Sequence, residues 1–111
     1  MQDAKKNIIS FLNKIYQGDC LECMKELPHE SIDMILCDLP YGTTQNKWDS
    51  LIPLDKLWEE YNRIIKPNGA IVLTSQGVFT AQLILSQSKL FKYKWVWEKS
   101  KPTNFLNAKK Q

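Results

Sequence analysis

Five consecutive residues, Asp38, Leu39, Pro40, Tyr41 and Gly42, put a carboxylate and an aromatic ring directly after the apolar run 31–37. Asp38 offers an acceptor for an N–H group, and Tyr41 offers a flat face. The Leu39 carbonyl, held beside Pro40, is a second acceptor with little freedom to turn away. Two acceptors and a stacking face suit a planar ring bearing an exocyclic amine, and amino-bearing nucleobases meet that description. Drawing both N–H bonds of such an amine toward acceptors rehybridises the nitrogen and frees its lone pair for attack.

These groups need elements to hold them. Residues 13–19, "NKIYQGD", predict a strand running into a turn at Gly18. Leu21, Met24 and Leu27 then recur every three residues. That spacing predicts a helix with Asp19 as N-cap and Pro28 as its stop. Residues 31–38, "SIDMILCD", predict a strand buried on both faces, as in a parallel sheet covered by helices. Pro53 suits the first turn of a second helix. Its apolar face is Leu54, Leu57, Trp58, Tyr61, Ile64 and Ile65, with Lys66 closing it and "PNG" as stop and turn. "AIVLTS" predicts another buried strand, Phe79, Leu83 and Ile84 a third helix, and "YKWVWE" a half-buried strand. Alternating strands and helices describe an α/β domain with a mainly parallel sheet. In such sheets ligands bind beyond the carboxyl ends of the strands, where this reading sets Asp19, Asp38 and Tyr41.

The composition is that of an ordinary globular chain: 111 residues, 43% hydrophobic, 24% charged and a net charge of +3. One domain fits this length, and roughly two thirds of its unfolded surface can be buried. The mild charge permits a polyanionic partner without requiring one. No apolar stretch reaches the roughly 18 residues of a membrane span, and three cysteines fit a reducing compartment, so a cytoplasmic protein is expected. Cys20 and Cys23 form a C-x-x-C pair, but a structural zinc site needs a second ligand pair, so no metal site is assigned. His29 reads as an exposed loop residue. Trp48, Trp95 and Trp97 are assigned to the core rather than to base stacking, and Lys99, Lys101, Lys109 and Lys110 to a solvated cluster.

"DLPYG" resembles motif IV, Asp-Pro-Pro-Tyr with variants at its second position, of the amino-group DNA methyltransferases. The likeness extends to "IYQGDCLECMKELPHESIDMILCDLPYG", "NKWDSLIPLDKLWEEYNRIIKPNGAIVLTSQ" and "WVWEKSKPTNFLNAKK", covering roughly residues 14–110. It implies a partial, incomplete Rossmann-like fold dependent on S-adenosylmethionine, which transfers methyl to adenine N6 or cytosine N4 of double-stranded DNA. Asp38 and the Leu39 carbonyl would accept from the target amine, Tyr41 would stack on a flipped base, and Pro40 would hold the turn. Asp19 and Asp38 are the expected cofactor contacts, Asp19 toward the adenine end. An initial aspartate in this motif is associated more with adenine than with cytosine N4. Cytosine C5 methylation is rejected, because it requires a thiolate, typically within Pro-Cys, and no proline precedes Cys37.

Family members that begin this way carry a Phe-x-Gly-x-Gly cofactor loop after the motif. Here the glycines stand at 18, 42, 69 and 77, no two of them close together. Residues 1–111 are therefore expected to be the catalytic-motif portion of a methyltransferase, with 1–12 an uncertain extension and 100–111 an irregular tail. Weak activity and weak cofactor binding are expected of such a chain by itself. A non-catalytic interaction module, or half of a split enzyme paired with a complementary chain carrying the loop, is the alternative. A protein-glutamine methyltransferase fits less well, since its cofactor loop would precede the motif.

Overall fold

The computed structural model describes residues 7–42 and 50–98. After a 3₁₀ turn at Ile8–Phe11 come helix α1 (Cys20–Met24), strand β1 (Ile32–Cys37), helix α2 (Leu54–Ile64), strand β2 (Ile65–Leu73) and helix α3 (Val78–Ser86). β1 and β2 pair in parallel as a two-stranded sheet. Parallel neighbours need a crossover, and α2 supplies it.

The core lies on one side of that sheet. Leu39, Leu57, Trp58, Tyr61, Phe79 and Leu83 form one buried cluster, and Ile35, Cys37, Ile71 and Leu73 pack against it from the strands. α2 drives this arrangement. Leu57, Trp58, Tyr61 and Ile64 make a single stripe along the helix, and Leu57 is fully buried. The Trp58 indole adds a directional tie, its Nε1 donating to Ser86 Oγ on α3 at 2.8 Å. Across from it, the Arg63 guanidinium reaches α1, donating to the carbonyls of Met24 and Leu27 at 2.7 Å each.

Several expectations are corrected. Residues 13–17 form no strand, and Ile15 is wholly exposed, because no described strand lies beside it to take its backbone bonds. Asp19 thus follows irregular chain, although it does cap α1. Among the described residues β1 is covered on one face only: Met34 is 53% and Leu36 71% exposed, since no described helix lies over their side. Pro53 is the N-cap of α2, one position before its first turn. α2 ends at Ile64, before Lys66, and the expected turn at "PNG" falls inside β2. Between the pairs Ile32↔Ile65 and Met34↔Ala70, β1 advances two residues and β2 five, so the turn is accommodated as a wide bulge. Gly69 is required there, because a Cβ would stand 2.7 Å from the Ile65 side chain and 2.9 Å from the Asp33 carbonyl.

Residues 91–98 take no regular structure, and Trp95 and Trp97 are exposed rather than core. No described strand pairs with this segment, and Tyr93 and Trp95 meet each other instead, ring centroids 5.8 Å apart. Trp48 and the four terminal lysines lie outside the described residues, as do residues 1–6 and all of 100–111. No helix among the described residues is long and apolar enough to cross a membrane.

Candidate functional site

The carboxyl ends of β1 and β2 lie side by side, with the Thr74 amide donating to the Cys37 carbonyl at 3.1 Å. Asp38 and Thr74 are the first residues beyond the two strands. Thr74 Oγ1 donates to Asp38 Oδ1 at 2.5 Å, while the Asp38 side chain otherwise stays exposed. One carboxylate oxygen is therefore tied to the neighbouring strand end, and an ionised carboxylate retains lone pairs for further donors.

The next residues turn away from solvent. Leu39 is buried in the core cluster, so the side chain at this position anchors the motif to the hydrophobic interior while its carbonyl belongs to the turn. Reading Leu39 only for its carbonyl overlooks that anchoring. Pro40 is half-buried, with φ fixed by its ring. Tyr41 is also half-buried, and its ring rests on Phe79 with centroids 5.2 Å apart and planes 30° apart. A tilted contact at this separation is a favourable aromatic arrangement. Gly42 adopts φ of 75°, and a Cβ there would meet Leu51 at 2.8 Å. The glycine ending the motif thus serves both a left-handed turn and a close approach.

Asp19 sits at the start of α1, where its Oδ1 accepts from the Leu21 amide at 2.8 Å. This is a capping geometry that satisfies one of the helix's unpaired amides. Next to it, desolvation, then the charges of Asp19 and Cys37, raise the Cys20 thiol above its usual range. The beginning of α1 is therefore an electrostatic neighbour of the end of β1, immediately before Asp38. Tyr61 closes this region from beneath.

Burial first, then a hydrogen bond with Cys37, pushes the Tyr61 phenol well above the ordinary tyrosine range. A folded-state value above the unfolded one stabilises the fold below the unfolded value, about pH 10, and that stabilisation is lost as pH rises beyond it. The expected slope is up to about 1.4 kcal/mol per pH unit for this one proton. Urea unfolding between about pH 9 and 11 should show a shallower loss in Tyr61→Phe than in the wild type; equal slopes would remove Tyr61 as the cause.

Of the residues singled out from the sequence, Asp38, Leu39, Pro40 and Tyr41 occupy one turn at the sheet's carboxyl end, and Asp19 caps the helix that begins nearby. His29 is exposed. The three cysteines are free thiols. Thr74 is the residue that sequence reasoning passed over. The available signal was a hydroxyl one position beyond a strand that must lie parallel to β1.

Known proteins resemble this chain over part of its length. Over 68 residues the chain is 40% identical to the type II methyltransferase M.HinfI of Haemophilus influenzae, covering 56% of this chain and 19% of that protein. It is 30% identical over 83 residues to the type II methyltransferase M.BamHI of Bacillus amyloliquefaciens, covering 66% and 20% respectively. With the DNA adenine methyltransferase YhdJ of Escherichia coli (strain K12) it shares 31% identity over 107 residues, covering 86% of this chain and 36% of that protein. The chain spans about a fifth of the first two relatives and about a third of the last. No family model matches it, and no solved structure gives a significant match.

Proposed function

Because the chain is a relative of the DNA methyltransferases, we propose that it carries the catalytic motif of a site-specific DNA amino-methyltransferase. Adenine N6 is the favoured target over cytosine N4. The observation that carries this reading is the turn at the end of β1, where Asp38 is held by Thr74 and Tyr41 is backed by Phe79. Asp38 and the Leu39 carbonyl accept from the exocyclic amine, and Pro40 keeps that carbonyl oriented. Tyr41 presents its ring to a base extruded from the duplex. Unstacking a base costs a few kcal/mol, and stacking on an aromatic ring offsets part of that.

The cofactor of this reading is S-adenosylmethionine, which supplies an electrophilic methyl group when bound. The acceptors present fit its amine and hydroxyl donors: Asp38 is exposed at the sheet's carboxyl end, and Asp19 is exposed at the α1 cap. With both N–H bonds held, the target nitrogen is positioned for direct attack, and no covalent enzyme intermediate is required. Positioning then supplies much of the rate. The doubly wound architecture of the whole enzyme, with residues 1–111 as its motif-bearing portion, belongs to the same proposal.

Single-turnover incubation with unmethylated plasmid DNA and methyl-tritiated S-adenosylmethionine tests the reading. Slow accumulation of N6-methyladenine is the expected result, together with cofactor affinity weaker than micromolar in a calorimetric titration. Label in C5-methylcytosine, or in protein and not in DNA, overturns it.

A second reading is favoured by the sheet face carrying Met34 and Leu36, which no described element covers. Contiguous exposed apolar surface marks interaction sites. A complementary chain carrying the glycine-rich loop would cover it, making this polypeptide half of a split enzyme or a non-catalytic module. Under that reading, methyl transfer appears only when such a chain is supplied.

A further inference from the structure

We infer that Thr74 is a positioning residue that sets the orientation of the Asp38 carboxylate toward the target amine. This rests on the base-binding reading above, and deepens it. Asp38 is exposed, so its side chain would rotate among its staggered wells without a partner. Thr74 Oγ1 supplies that partner at 2.5 Å.

The donor itself is doubly constrained. Its amide is bonded to the Cys37 carbonyl, and its β-branched side chain is stiff at χ1. A hydroxyl has one proton to give, and here it is given to Oδ1, which leaves the other carboxylate oxygen to face the amine. The adjacent hydroxyl does not share the task, since Ser75 Oγ accepts from Thr80 Oγ1 at 2.8 Å and serves the start of α3. Because Thr74 and Asp38 follow different strands, the hydrogen bond fixes the carboxylate relative to the sheet and not merely to its own turn.

The test reads the Asp38 side chain directly. Three-bond NMR couplings should show a single χ1 rotamer in the wild-type chain and in Thr74→Ser, and rotamer averaging in Thr74→Val. Adenosine titrated into the same samples should bind about 3- to 10-fold more weakly to Thr74→Val than to the wild type, with Thr74→Ser restoring affinity. Averaging in the wild type, or a fixed rotamer in Thr74→Val, overturns the assignment. The wild-type couplings decide even where the valine variant does not fold. Should adenosine fail to bind the wild type while its rotamer is fixed, the base-binding reading fails and the orienting role of Thr74 stands.

Discussion

Arg63→Ala is expected to remove about 2–4 kcal/mol of folding stability, somewhat less than breaking a fully buried charged network by deleting one partner, because this one is half-buried. The guanidinium donates to Met24 O and Leu27 O and pairs with Glu60 Oε1 at 2.8 Å, with the two charged side chains only 17% and 15% exposed. α1 has five residues, too few to be stable through its own hydrogen bonds. The carbonyls at and beyond its carboxyl end have few intrahelical partners, and Arg63 takes two of them. Alanine would strand the Leu27 carbonyl, leave the Met24 carbonyl with only the Leu27 amide at 3.0 Å, and leave the Glu60 charge with no guanidinium. Arg63→Lys keeps the charge but not the planar fork, so it should fall between wild type and alanine. Urea titration gives the measurement: a lower midpoint with an unchanged slope is expected. A loss under about 1 kcal/mol would mean that the network is worth no more than a surface pair. For a domain whose whole stability is about 5–15 kcal/mol, the predicted loss is severe.

The second large effect concerns chemistry. Asp38→Ala is expected to lower methyl transfer by roughly 10²–10³-fold, the scale seen when one preorganised polar group at a reacting centre is deleted. Binding provides a readout independent of turnover. A hydrogen bond from the target amine to an ionised carboxylate is worth about 1.5–3 kcal/mol, which is roughly 10- to 150-fold in affinity. Wild-type chain should therefore discriminate adenosine from N6,N6-dimethyladenosine, which has no N–H to donate. Asp38→Ala should discriminate less strongly, since the Leu39 carbonyl still accepts one N–H. Equal affinities in the wild type would show that neither Asp38 nor the Leu39 carbonyl grips the amine. The Asp38 side chain is exposed but bonded to Thr74, so its removal should cost the fold no more than about 1.5 kcal/mol.

The parts legible in the sequence were those with strong local signals. Six apolar residues at three- and four-residue spacing predicted α2, Asp19 predicted the α1 cap, and the nearly continuous apolar run predicted β1. The motif turn was legible because Asp, Pro, Tyr and Gly each have a distinct physical use after a strand. What escaped were features that depend on a partner. A segment such as 91–98 alternates correctly, yet alternation forms a strand only when a neighbour takes its backbone bonds. Met34 and Leu36 look like core residues until a covering element is asked for. Thr74 meets Asp38 only through pairing between residues 36 apart in the chain, and no local pattern encodes that contact.

The wide bulge at the start of β2 has a consequence for how the gene can change. Its residue count sets the phase of everything downstream: Ile71 and Leu73 face the core only because five steps of β2 match two of β1. Removing one residue from 67–69 with the strand alignment otherwise kept would swing Val72 and Thr74 inward and present Ser75 to the carboxylate. Substitutions there are tolerable wherever they respect the crowding at Gly69, whereas insertions and deletions would act at a distance on the acid that ends β1.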